Sequence, residues 1–240
     1  MNTTELYDAF RSDVVDLERP YLWSDTEVFG YMDEAQIMFC RLAGGIPDVT
    51  TDAVVKVPVT AGEEYSPLHP SILHIRQAHL VSTGRELGLK NLLDAKTAGD
   101  DYGMVFQAVN EHRPGPVRGM VIGEQYDLCR WVSVPEADDE VKVSVYRLPL
   151  AQIVGEGQEL EIRREHHRAL LHWMKHLGYS KQDAETFDRA KAKENEDKFI
   201  AYCEKAKAEW ERYKHKPRAI KYGGIGGVGE YGPSSIRRVW

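Results

Sequence analysis

The sequence predicts an α+β chain in which an antiparallel helical bundle, built from an N-terminal and a C-terminal helix pair, carries an inserted small antiparallel β unit and ends in an extended arm. Three observations predict it. Apolar residues recur at helical spacing near both ends, they recur at the period of a strand between those ends, and the last residues are rich in glycine and basic side chains. The boundaries drawn from these shifts place residues 1–48 and 158–215 in the bundle, 49–157 in the β-rich insertion and 216–240 in the arm.

Leu6, Phe10, Val14 and Leu17 fall on one helical face, and Asn2, Thr3 or Thr4 offers a capping oxygen at the start. Pro20 ends this segment. Ser24 followed by Glu27 has the spacing of a capping box, after which Val28, Met32, Ala35, Phe39 and Leu42 advance in steps of four and three until Gly44-Gly45. A short connection between two such helices favours a hairpin.

After Pro47 the period changes. Residues 53–59, 72–81, 117–122, 128–134 and 141–146 are rich in β-branched and aromatic side chains and read as strands. Ser82-Thr83-Gly84 reads as a hairpin turn leading to Leu87 and Leu89, residues 91–98 as a short helix, and Pro114-Gly115-Pro116 as an exposed break. The helical period returns at Glu161 with Ile162, Ala169, Leu170, Trp173, Met174 and Leu177, and Gly178 reads as the stop. A long helix follows over 181–214, with Phe199, Cys203, Ala206, Trp210 and Tyr213 forming a narrow stripe and Glu194/Lys198 and Lys207/Glu211 paired on the outer face.

Composition narrows the function. With 42% hydrophobic and 29% charged residues the chain is ordinary globular material, and no apolar run approaches the ~20 residues of a membrane span. The first residues lack the basic and apolar pattern of a secretory signal, so a cytosolic, reducing compartment is expected. Three cysteines, Cys40, Cys129 and Cys203, sit in apolar patterns and read as packed thiols. The formal charge is −7, yet residues 214–240 carry six Lys or Arg against one Glu, which leaves −12 on the rest. An acidic body with a basic tail is a poor general binder of nucleic acid.

Candidate chemistry is sparse. Gly224-Ile225-Gly226-Gly227-Val228-Gly229 has the spacing of a dinucleotide loop, but no strand precedes it and no helix follows. His172 and His176 stand one helical turn apart among His166 and His167, without the glutamate of a zinc-protease helix or a third ligand nearby. Cys40 paired with a histidine is better read as core than as a nucleophile. Glu63-Glu64, Asp100-Asp101 and Asp138-Asp139 are turn charges rather than a converging catalytic pair. We therefore expect no enzymatic activity and no cofactor. The tail is different: Arg218, Lys221, Tyr222, Ile225, Val228, Tyr231, Ile236, Arg237, Arg238 and Trp240 interleave basic, aromatic and aliphatic anchors with glycine, a mixture suited to lying in a partner's groove.

The order of elements resembles the bacteriophage head-to-tail adaptor, or head–tail connector, family. The likeness rests on the helix pair over 5–43, on the β insertion opening with Ala53-Val54-Val55-Lys56-Val57-Pro58-Val59 and closing with Val143-Ser144-Val145-Tyr146-Arg147-Leu148-Pro149, and on the second helix pair beginning Glu165-His166-His167-Arg168-Ala169-Leu170-Leu171. The resemblance implies a structural virion protein: a subunit of a homo-oligomeric ring, typically of twelve, in the neck between head and tail, assembled in the host cytoplasm. It further implies a portal protein and tail or nozzle proteins as partners, a C-terminal arm that docks to the portal, and a DNA channel through which double-stranded DNA passes without sequence-specific binding, with no membrane partner. Some such adaptors have been linked to cell-wall cleavage, but no residue carries that over. The competing readings are a hydrolase of cell-wall type and a nucleic-acid-binding protein that uses the basic tail.

Overall fold

The computed structural model describes residues 1–91, 113–182 and 186–214. Helix α1 spans Thr3–Val14, with Asn2 as its cap, and α2 spans Asp25–Ala43, opened by the Ser24/Glu27 capping box and closed by Gly44 at a φ of +107°. Leu17 does not extend α1. The helix ends at Val14 because Val15 turns into the left-handed region, and Leu17 points to solvent.

The β-rich part holds strands β1 (Ile46–Asp48), β2 (Lys56–Val59), β3 (Tyr65–Pro67), β4 (Ile72–Leu80), β5 (Gly88–Asn91), β6 (Pro114–Gly115), β7 (Gly119–Ile122), β8 (Leu128–Val132), β9 (Val134–Pro135) and β10 (Asp139–Arg147), with the single-turn helix α3 (Asp52–Val55) between β1 and β2. β10 organises the first sheet. One of its edges pairs antiparallel with β4, and the other is shared end to end by β2, opposite residues 139–142, and β1, opposite residues 145–147. The second sheet runs β3-β8-β7-β5, with β5 parallel to β7. Pro114-Gly115 is not an exposed break: it pairs with β9 in a two-stranded parallel ribbon. The hairpin at Ser82-Thr83-Gly84 forms as expected, closed by the Gly84 N–H on the Leu80 carbonyl at 2.8 Å. The helix expected over 91–98 lies outside the described residues apart from Asn91, which ends β5.

After an extended connection and a 3₁₀ turn at Arg164–His166, α4 runs over His167–Ser180 and α5 over Arg189–Lys214. Gly178 is not a stop but lies inside α4. A Cβ there would stand 3.4 Å from the indole of Trp23, whose Nε1 donates to the Gly178 carbonyl at 3.1 Å, so the missing side chain is a close approach between elements. α5 begins eight residues later than its apolar pattern indicated, at a start capped by Asp188, whose side chain accepts from the amides of Ala190 and Lys191 at 3.1 and 3.0 Å.

Among the described residues two large hydrophobic clusters result, beside the small pair Val121 and Val132. Leu6, Phe10, Met32, Phe39, Leu170, Met174, Phe199 and Cys203 from all four long helices share one cluster with Trp23 of the α1–α2 loop and with Ile153, Leu160 and Ile162 of the later connection. Val55, Val57, Ile75, Met120, Trp131, Val141, Val143 and Val145 form the other, between the two sheets.

Candidate interaction surface

Where the two clusters meet, Arg147 at the end of β10 holds two carboxylates. Its Nε donates to Asp48 Oδ2 at 2.6 Å, and its Nη1 donates to Glu161 Oε2 at 2.6 Å and to the Leu148 carbonyl at 3.0 Å. Asp48 also accepts from the amides of Thr50 and Thr51, and Glu161 from those of Leu150 and Ala151, while the Glu161 amide donates to Gln36 of α2 at 2.9 Å. Burial pulls both acids toward the neutral form, but hydrogen bonds from Thr51, Arg147 and Thr50 outweigh it at Asp48, and those from Ala151, Arg147 and Leu150 at Glu161. Both therefore titrate below the usual carboxylate range. These acids stay charged and occupied.

The same corner forms a groove of about 280 Å³ between the end of α2, β1, the connection and the last turns of α5. Phe39, Ala43, Ile46, Ile162, Ala206 and Trp210 supply its apolar lining. Trp210 meets Tyr146 edge-on at 6.4 Å and stacks on Tyr213 at 5.4 Å, with the Arg163 guanidinium 5.4 Å from its ring centroid. Tyr213, counted in the buried stripe by its spacing, is 79% exposed: the stripe leaves the core as α5 runs toward the tail. His166 lies against Phe39 with ring centroids 4.7 Å apart and planes tilted by 34°, its Nδ1 is 3.0 Å from the Tyr202 hydroxyl, and burial lowers its pKa.

The other candidates resolve into structural roles. His172 Nδ1 faces Asn195 Oδ1 at 3.2 Å and His176 Nδ1 faces the Ala192 carbonyl at 3.0 Å, so both fasten α4 to α5; among the described residues no group of three or more His, Cys, Asp or Glu is arranged to hold a metal. Cys40, Cys129 and Cys203 are free and buried, and burial pushes each thiol up to about 12. Asp138 caps the turn at Ala61, and Asp139 accepts from Ser82 and from the Glu140 amide. Asp100 and Asp101 lie outside the described residues, as does the Gly224–Gly229 motif. So do all ten tail anchors, Arg218, Lys221, Tyr222, Ile225, Val228, Tyr231, Ile236, Arg237, Arg238 and Trp240. Sequence reasoning missed the groove and the Arg147 clasp, whose members come from four separated segments.

Comparison with known proteins places this architecture. The family model described as SU10 adaptor protein matches residues 1–213, which is both helix pairs, the β insertion and α5 up to its last residue. The match defines the class as phage adaptor proteins, a structural class. Within it, the chain belongs to the SU10 adaptor protein family. No curated protein matches the chain. Among the described residues no helix is long and apolar enough to cross a membrane.

Proposed function

We propose that this chain is a subunit of the adaptor ring that joins the phage portal to the tail, and that it docks to the portal through residues 216–240. The family match over residues 1–213 carries the reading, because it covers the body and leaves the basic, glycine-rich tail as an appendage of that body. In this account residues 1–48 and 158–215 form an antiparallel helical bundle that builds the ring wall, residues 49–157 form a separate β domain, and twelve copies close the ring. Portal protein lies on one side of the ring and tail or nozzle proteins on the other, in the virion neck, after assembly in the host cytoplasm.

Electrostatics fits a conduit. A body at −12 over residues 1–213 repels a polyanion, so double-stranded DNA passes without adhering, while the +5 carried by residues 214–240 is reserved for protein. The tail's anchors need a partner, since glycine-interrupted single apolar side chains enclose no core. Trp210 and Tyr213 make the foot of α5 a firm base from which such an arm departs.

A hydrolase would need two carboxylates free to exchange protons across a cleft. Among the described residues the two most buried acids, Asp16 and Asp48, are each engaged by an arginine and by backbone amides, which leaves neither for that task. Deleting residues 218–240 tests the proposal: the truncated chain should keep the circular dichroism of the full chain and lose attachment to purified portal rings in co-sedimentation. Unchanged attachment would contradict the role given to the arm.

A further inference from the structure

α5 is held to the rest of the molecule by little apolar area. Among its described residues the buried side chains are Ala192, Asn195, Phe199, Cys203 and Ala206, and of these Phe199 is the one large apolar group. Polar fasteners between α4 and α5 therefore carry much of the contact, and histidines supply them. His166, at the head of α4, meets the Tyr202 hydroxyl at 3.0 Å; His172 meets Asn195 Oδ1 at 3.2 Å; His176 meets the Ala192 carbonyl at 3.0 Å. The positions rise along α4 and fall along α5, so the histidines form a seam between two antiparallel helices.

The partners fix the tautomers. A carbonyl only accepts, so His176 Nδ1 carries a proton. The Asn195 amide nitrogen donates to the Lys191 carbonyl at 2.8 Å, which turns its oxygen toward His172. The Tyr202 hydroxyl donates to the Glu165 carbonyl at 3.2 Å, which leaves its oxygen to accept from His166. Each ring thus aims Nδ1–H at α5, and a further proton enters only at Nε2.

The surroundings resist that proton at two of the rings. Burial disfavours the cation at His166 and at His172 and holds both below the ordinary histidine value. Around His166 stand Arg163, Glu165 and His167 from its own turn and α4, and Tyr202 and Glu209 from α5. The Glu165 carboxylate lies 3.5 Å from Nε2, but it is 63% exposed and water screens it. Around His172 stand Lys175 of α4, Lys198 of α5 and Asp13 of α1. Lys175 is already paired with Asp13 at 2.8 Å and Lys198 with Glu194 at 2.6 Å, so a proton on His172 adds a charge that neither ion pair offsets.

We propose that the α4–α5 contact is an acid-sensitive seam, in which protonation of His166 and His172 loosens α5 from the helical cluster. Trp210 and Tyr213 belong to α5, so the groove at the end of α2 loses a wall in the same step. Both rings favour the neutral form in the fold; their contribution is complete above the ordinary value of about 6.5 and is lost as pH falls below it through the lowered native values. Asp48 and Glu161 titrate below the usual carboxylate range, so the Arg147 clasp stays closed over that interval.

The test follows amide exchange in the full chain, corrected for the intrinsic effect of pH, between about pH 7.5 and about pH 5.5, which brackets the ordinary histidine value. Protection of the α5 amides over residues 198–203 should fall severalfold on acidification, while that of β8 stays unchanged. The double variant His166→Asn, His172→Asn keeps a donor near each Nδ1 position and removes the titration, so its α5 protection should be the same at both pH values. Ring-nitrogen resonances of the parent give a reading that needs no variant: at the higher pH, His166 and His172 should show a protonated Nδ1 and a bare Nε2. Parent protection in α5 that does not change overturns the seam, as does an equal loss in the double variant. A bare Nδ1 in either ring overturns it as well, because the fastening to α5 would then be absent.

Discussion

Arg147 shows how much a single residue carries here. It is buried with Asp48 and bonded to the half-buried Glu161, so replacing it with methionine would strand the Asp48 carboxylate away from water and unpair Glu161, and we expect a loss of about 3 kcal/mol in urea unfolding. The acid limb follows from the same pair. Their native pKa values lie below the unfolded values, so their contribution is complete above the ordinary carboxylate range of about 4 and declines as pH falls through the lowered native values. The parent should lose stability over that interval, and Arg147→Met should show a shallower acid slope. Val15 gives the opposite sign: Val15→Gly relieves the left-handed strain and should raise stability by about 1 kcal/mol in the same assay. Only local devices at this scale were legible in the sequence. Asn2 and the Ser24/Glu27 box announce themselves within three residues, whereas Arg147 meets Asp48 across 99 positions and Glu161 across 14, distances at which no spacing rule operates.

Among the elements, legibility followed the strength of the period. The long helices and the strands around Val57 and Val143 read correctly because each buries one face there and burial imposes the period, whereas β8 around Trp131 buries four residues in a row and β4 buries Ile75 and Ala78 three apart, so these two were legible from residue type rather than alternation. The errors came where a residue type had two meanings. Gly178 resembles a helix stop but serves the packing of Trp23; Pro114-Gly115 resembles a break but forms a strand at the edge of a ribbon, where a proline with no N–H to donate is tolerated. Asp188 went unread as a cap because the apolar pattern continued past it. Gly119 supplies the element-scale test. A Cβ at this position of β7 would lie 2.8 Å from the Gly88 carbonyl oxygen of β5, so Gly119→Ala must push the parallel pair apart. We expect about 1–3 kcal/mol of destabilisation by denaturant titration, accompanied by faster amide exchange in β5.

Across the whole molecule, helices from the two ends of the chain share one core and the intervening strands share another, with the Arg147 clasp and the groove where they join. The order of elements was enough to suggest the adaptor family, because that order is a pattern along the sequence. The groove was not, because it exists only after four segments converge. The central claim is that the acidic body belongs to a ring fixed to a portal by a basic, aromatic tail. The most direct measurement is the mass of purified portal rings before and after mixing with the full chain, read particle by particle. The account predicts a discrete increment equal to a complete ring of subunits, twelve by the family resemblance, which disappears when residues 218–240 are removed. Portal particles of unchanged mass, or the same increment from the truncated chain, would contradict it.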